Sequence, residues 1–285
     1  MLSGFTLVRN AVALDYPIVP AIRSVLAVCD EVVVNVGRSE DGTRELVAAI
    51  GDPRVRILDT EWDFSRGSEA LARETDRAMA ACRGPWGLYI QADEVLHESG
   101  AAILAEKVRE WDGDARVEGL LVEYLHFFGD FDTVATDRHW YRREVRVVRL
   151  GRDVRSYQDA QGFRVGPGLR RVRARVTGAL MFHYGWARAP GSVRQKLEAS
   201  RAIFRGAALR PEQGLDERLG WTPLLRRFTG THPRAARDWV AARRVTPRAI
   251  GARQFRLHHV RYYLSDWIER LTGVRLFEYR NYVEV

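Results

Sequence analysis

The chain has 285 residues, 46% of them hydrophobic and 29% charged. That is enough for one large folded domain or a domain with an appendage, and it excludes disorder as the default. No run of about 18 apolar residues occurs, which argues against a membrane-spanning helix. The start Met1-Leu2-Ser3-Gly4-Phe5 has no basic region or cleavage pattern of a secretory signal. The net charge is +8, and Lys107 and Lys196 are the only lysines in an arginine-rich basic set. Between Arg226 and Arg261 the only acid is Asp238, a balance suited to an anionic partner. Cys29 and Cys82 each fall in an apolar helical pattern, so buried free thiols in a reducing cytoplasm are expected, without Cys/His zinc spacing.

In chain order, Phe5 to Val8 reads as a strand ending at Arg9-Asn10. Pro17 and Pro20 flank the start of a helix with Ile22, Val25, Leu26 and Cys29 at helical spacing. Val32 to Val36 is a second strand, apolar as buried parallel strands are, followed by the polar turn Gly37 to Thr43 and a helix from Arg44 to Ile50. Val55 to Leu58 is a third strand, and a helix from about Ser68 to Cys82 follows. Trp86 to Ile90 is the fourth strand, and it runs straight into Gln91-Ala92-Asp93-Glu94.

Alternating strands and helices predict a parallel α/β sheet. The polar turns at the strand ends, Arg9-Asn10, Gly37 to Gly42 and Gln91 to Glu94, then converge on one edge, where such sheets bind ligands. Beyond Glu98 a helix runs to about Trp111, and Gly119 to Tyr124 is a strand. An aromatic, acidic loop is expected at His126 to Asp132, and strands at Val145 to Leu150, Val172 to Val176 and Ala179 to His183. The loop Ser156 to Gly162 separates the first two of these. After Trp186 the pattern turns helical, and Leu257, Val260, Leu264, Trp267, Ile268 and Leu271 form an apolar stripe on the last long helix.

The order of these motifs, from about Phe5 to Trp186, resembles the GT-A glycosyltransferases of the bacterial family 2 type. The resemblance implies a Rossmann-like, mostly parallel α/β sheet as a catalytic domain over residues 1–186, with a helical, arginine-rich region over 187–285. Val8, Arg9 and Asn10 match the end of the opening strand, which meets the nucleotide. Ser39-Glu40-Asp41-Gly42-Thr43 matches the family's Ser-x-Asp-Gly-Thr turn, and Ala72-Arg73 its Ala-Arg pair on the next helix. Gln91-Ala92-Asp93-Glu94 falls at the Asp-x-Asp metal motif. The sequence departs from the pattern twice: Asn35-Val36-Gly37-Arg38 lacks the acid that usually contacts the base, and Gln91 replaces the first acid of Asp-x-Asp.

By this resemblance a sugar moves from a nucleotide diphosphate donor to a glycan or lipid-linked acceptor, with inversion. Ser39, Asp41, Arg73, Gln91 and Ala92 join Val8 to Asn10 in holding the donor. Asp93, Glu94 and His183 hold a Mg²⁺ or Mn²⁺ ion, and Asp159 is the base, with Asp130 and Asp132 in reserve. Each residue also has a structural reading: a first-turn acid for Asp93, a helix cap for Asp41, a solvated arginine for Arg73, an Asx-turn residue for Asp159 and a backbone-bonded strand-end imidazole for His183. His126 and His139 read as structural histidines, and Trp140, Tyr141 and Trp186 as core residues more than sugar platforms.

The basic C-terminal region reads either as a solvated face or as a peripheral contact with the inner face of a membrane through Arg226, Arg227, Arg243 and Arg244. Nucleic acid is not an expected partner, because no aromatics interleave with the arginines. Two rivals remain open. A sugar nucleotidyltransferase would carry a glycine-rich loop after strand one, which Val8 to Val12 lacks. A nucleotide-sugar-binding protein that has lost its chemistry is the other.

Overall fold

The structure, a computed structural model, describes residues 1–187, 192, 195–199, 224–243 and 259–285. Strands β1 (Leu2–Val8), β2 (Glu31–Gly37), β3 (Val55–Thr60) and β4 (Trp86–Tyr89) form a parallel sheet in the order β3-β2-β1-β4. Helices α1 (Ile18–Leu26), α2 (Thr43–Ala48) and α3 (Glu69–Ala80) connect them. The valines of β2 explain the arrangement: Val32 and Val34 enter one core with Ile18, Ile22 and Val25 of α1, while Val33 enters a second core with Phe5, Tyr89 and Ala78 of α3. A strand with apolar side chains on both faces is stable only between two layers.

Past β4 the sheet continues through β8 (Arg143–Arg149), β6 (Gly119–Phe128) and β11 (Arg170–Trp186). Of these three, β8 runs against its neighbours β4 and β6, while β6 and β11 are parallel to each other. The fold is therefore α/β with a mostly parallel central sheet, as the sequence predicts. Helix α4 (Glu98–Trp111) covers it, and the hairpin β9 (Val154–Tyr157) and β10 (Gly162–Val165) extends it beyond β11. Two short strands complete this part: β5 (Glu94–Leu96), antiparallel to β11, and β7 (Thr133–Ala135), antiparallel to β6.

Several elements differ from expectation. His126, Phe127 and Phe128 continue β6 instead of opening a loop, because their partners Ala135 and Val134 in β7 and His183 and Trp186 in β11 keep both edges paired. The two strands expected before and after Thr177 are one, with a register shift at Gly178, whose φ of 79° breaks the hydrophobic pattern without ending the strand. Strand β11 ends at Trp186. Beyond it lie helices α5 (Arg237–Ala242) and α6 (Val260–Thr272), but also β12 (Leu225–Arg227) and β13 (Tyr282–Glu284), which pair with β7 and β11. On α6 the stripe Val260, Leu264, Trp267 and Leu271 faces outward, and Tyr262 and Ser265 are the buried residues; Leu257 lies outside the described residues.

One buried acid makes the fold sensitive to pH. Glu144 on β8 is 4% exposed, and burial pushes its carboxyl up from 4.5 to about 7, beyond what Arg146 and the Val145 amide recover. Its proton is bound more tightly in the folded chain than in the unfolded one. The contribution of this group to stability is therefore fully present below about pH 4.5, falls as pH rises toward 7, and then levels. Glu144→Gln is expected to melt above wild type at about pH 8, by an amount on the order of 3 kcal/mol, with the gap closing near pH 5; melting curves across pH check it.

Candidate functional site

The strand order reverses between β1 and β4: from β1 the chain steps to β2 and β3, then returns to the other side of β1. The loops after these strands must part at that point, and an open α/β sheet takes its ligands there. A cleft of about 610 Å³ occupies it. Its walls include Val8, Arg9 and Asn10 from the end of β1, Gln91, Ala92 and Asp93 after β4, and Asp159 from the β9–β10 turn. Trp62 and Phe64, after β3, close one side, with Tyr16 and Lys196 on another. A second hollow of about 530 Å³ shares Arg9, Asn10 and Trp62 and adds Arg38, Asp41 and Glu61.

The Ser-x-Asp-Gly-Thr turn holds this cleft open by tying two loops together. Ser39 Oγ accepts from the Asn10 amide at 3.0 Å, Thr43 Oγ1 from the Ala11 amide at 2.7 Å, and Asp41 Oδ2 from the Ala13 amide at 2.8 Å. Asp41 Oδ1 also accepts from the amide and hydroxyl of Thr43. Burial would raise the Asp41 carboxyl, but these donors outweigh it and hold the group below its ordinary range. Ser39 thus positions Asn10 rather than lining the main cleft. Arg73 does not line it either: its Nη2 donates to the Asp63 carbonyl at 2.8 Å, between Trp62 and Phe64. The Trp62 indole lies over Gly37, where a Cβ would come within 2.6 Å of the ring, so glycine is required there. Asn35, where the resemblance leads one to look for an acid, is buried and bonded to Glu74 and Thr60.

Gln91-Ala92-Asp93-Glu94 divides its labour. Glu94 is fully buried and forms a two-point ion pair with Arg146, Nη2 to Oε1 at 2.8 Å and Nε to Oε2 at 3.1 Å. It also accepts from the Tyr124 hydroxyl at 2.7 Å and the Gln91 amide at 3.0 Å. Those four bonds fill its lone-pair sites, so Glu94 is not a ligand to an ion in the cleft. The Gln91 side chain donates to the Ala160 carbonyl at 3.2 Å, and Arg146 to the Gln161 carbonyl at 3.2 Å. Both grips fall on the β9–β10 turn, where Gln158 and Ala160 have φ of 55° and 63°. The turn presents Asp159 to the cleft, and burial raises its carboxyl above the ordinary value. A carboxylate made more basic in this way suits proton abstraction.

Asp93 and His183 do meet. His183 Nε2 lies 3.6 Å from Asp93 Oδ2, and the Asp93 carbonyl accepts from the Tyr184 amide at 2.8 Å. Burial and the nearby His183 hold His126 well below its usual range, hence neutral. His126 Nε2 lies 2.8 Å from the Tyr141 carbonyl and must donate to it, so His126 Nδ1 accepts from His183 Nδ1 at 3.1 Å. His183 Nε2 is then the nitrogen turned to Asp93. Lys196, from the helical stretch 195–199, places its ammonium 2.8 Å from Asp93 Oδ2 and 3.1 Å from the Gly185 carbonyl. A Cβ at Gly185 would lie 2.7 Å from Asp93 Oδ2 and 2.6 Å from His183 Nε2, so only glycine lets these groups meet.

These residues do not fit the Mg²⁺ or Mn²⁺ site that the resemblance implies. Glu94 is committed elsewhere, and among the described residues no three His, Cys, Asp or Glu side chains gather where they could hold an ion. A divalent ion about 4 Å from the Lys196 ammonium would also be repelled by roughly 8 kcal/mol at an effective dielectric near 20.

Of the reserve bases, Asp130 is buried and accepts from the Asp132 amide, and Asp132 lines a separate hollow beside His232 and Arg237. His139 bonds to Asp137 and to the Tyr262 hydroxyl. Arg226 and Arg243 are paired with Asp266 and Asp15, each at 2.5 Å, which neutralises part of the expected basic face; Arg244 lies outside the described residues. Sequence reasoning missed Lys196, Trp62 and Phe64. The rarity of lysine marks Lys196 out, whereas nothing local distinguishes Trp62 from a core residue.

No family model and no curated protein sequence matches the chain. Among solved structures it is similar to fragment 1-349 of S. aureus TarS, at 14% identity over 95% of this chain and 81% of that one, with a TM-score of 0.43. The same fragment in complex with UDP-GlcNAc aligns at 20% identity over 45% of this chain and 35% of that one, TM-score 0.36. Glucosyl-3-phosphoglycerate synthase from Mycobacterium tuberculosis, in complex with Mn²⁺, UDP-glucose and phosphoglyceric acid, aligns at 19% identity over 44% of each chain, TM-score 0.30. The chain thus spans about a third of the UDP-GlcNAc-bound TarS fragment. At this level of similarity the site must be judged on its own residues.

Removing Glu94 leaves the Arg146 guanidinium buried and unpaired. Glu94→Ala is expected to cost about 3–5 kcal/mol in chemical denaturation, and Glu94→Leu with Arg146→Met to recover part of that.

Proposed function

We propose that the chain is a GT-A-type glycosyltransferase that moves a sugar from a nucleoside diphosphate donor to a hydroxyl acceptor with inversion. One observation carries the reading: a basic carboxylate, a cationic wall and an aromatic wall share one cleft at the reversal point of a parallel sheet. Trp62 and Phe64 offer flat faces to a base, and the Arg9 guanidinium lies over the Phe64 ring, 5.2 Å from its centroid. Arg9 and Lys196 bring positive charge to a diphosphate. Asp159 takes the proton of the acceptor hydroxyl; that oxygen attacks the anomeric carbon as the bond to the diphosphate breaks, and the nucleoside diphosphate leaves.

The acceptor in this reading is a glycan or lipid-linked sugar, and the aromatic ring of Tyr16 beside the cleft suits a sugar face. Cytoplasmic action with peripheral membrane contact is part of the proposal. Among the described residues no helix is long and apolar enough to cross a membrane.

A thermal-shift screen of nucleoside diphosphates and nucleotide sugars tests the reading, followed by transfer assays with the donor that binds. Asp159→Asn is expected to keep the donor shift and lose about 100-fold or more in kcat. Because the Asp159 carboxyl is raised, wild-type turnover is expected to fall with acid before an ordinary carboxylate would protonate. Trp62→Ala is expected to weaken donor binding by about 1–3 kcal/mol. If no nucleotide sugar shifts the melting point, the proposal fails.

A further inference from the structure

We infer that the Lys196 ammonium, and not a divalent cation, neutralises the diphosphate of the donor, so that donor binding is independent of metal. The inference rests on the glycosyltransferase reading for its ligand and on the geometry around Asp93 for its substance. A cation is called for in this corner: Asp93 is 8% exposed, with His183 Nε2 on one side and the backbone carbonyl of Gly185 near the other. The group that answers is Lys196, in contact with both the Asp93 carboxylate and that carbonyl.

Lysine suits the role better than the arginines that dominate this chain. Its ammonium is a compact point charge that turns its three donors freely, whereas a guanidinium is a planar fork. The surroundings hold it in place: Nζ lies 5.3 Å from the Trp186 ring centroid and 5.6 Å from that of Tyr16, both within cation–π reach. Lys196 also lines the cleft beside Ala92 and Asp93. Asp93 then anchors the ammonium, and the ammonium meets the phosphate oxygens. Gln91 holds the Asp159 turn.

The test is calorimetric binding of UDP, GDP, CDP and ADP to the full chain, in EDTA and in Mn²⁺. The expected result is equal affinity in both for the nucleotide that binds. Lys196→Met, with its fold checked by circular dichroism, should bind that nucleotide about 10- to 100-fold more weakly in EDTA, the loss of one charge-assisted contact. Wild-type binding that needs Mn²⁺ would overturn the inference, and this arm requires no variant. So would a Lys196→Met protein that binds as well as wild type. Mn²⁺ alone, followed by electron paramagnetic resonance, gives an answer independent of the nucleotide: no stoichiometric site is expected in wild type, and finding one overturns the role of Lys196. A chain that binds none of the four nucleotides in either condition would sink the glycosyltransferase reading, while the resonance measurement would still judge Lys196.

Discussion

The buried ion pair of Glu94 and Arg146 is the constraint on which the rest of the site depends. Arg146 is 1% exposed, over the faces of Tyr89 and Tyr124, and burial would favour its neutral form were Glu94 not beside it. Two charges out of water are tolerable only when each has its full complement of bonds. Here Tyr124, the Gln91 amide and the Gln161 carbonyl complete the set. Satisfying the pair therefore fixes four separate pieces of chain: the turn after β4, the strands β6 and β8, and the turn that carries Asp159. The pair is weak evidence for added stability, but it sets geometry.

Around that centre, many residues that look like ligands act as struts. Ser39, Asp41 and Thr43 hold the loop after β1 through its amides. Arg73 grips the backbone between Trp62 and Phe64, and Gln91 grips the backbone beside Asp159. Short polar side chains satisfy loop amides that would otherwise be left unpaired near a cleft. With the walls held in this way, Asp93, Lys196, Asp159, Arg9 and Trp62 face the cavity in one arrangement. Preorganised charge of this kind is what transfer of a group from an anionic leaving group requires.

Much of the sheet was legible in the sequence, because a strand buried on both faces must be apolar throughout and Val32 to Val36 is nearly so. The convergence of polar turns followed from a parallel sheet alone, and the cleft lies there. The division between Asp93 and Glu94 was not legible. Adjacent residues leaving a strand point to opposite sides, and which side is the cleft depends on β11, about 90 residues further on. The stripe on α6 lies on a helix as its spacing predicted, but helical spacing shows that a face is apolar, not what covers it. The strand β6 ran past its expected end because pairing with β7 and β11, rather than composition, sets its length.

By itself the sequence determined the layered α/β architecture and the edge on which the polar turns and the cleft lie. Those follow from local periodicity and from the direction in which parallel strands must run. Only the tertiary structure decided which acid was spent on Arg146, which was left for the cleft, and that Lys196 would come to rest on it. Charge partners are chosen by proximity in space, and Lys196 reaches Asp93 across more than 100 positions of chain.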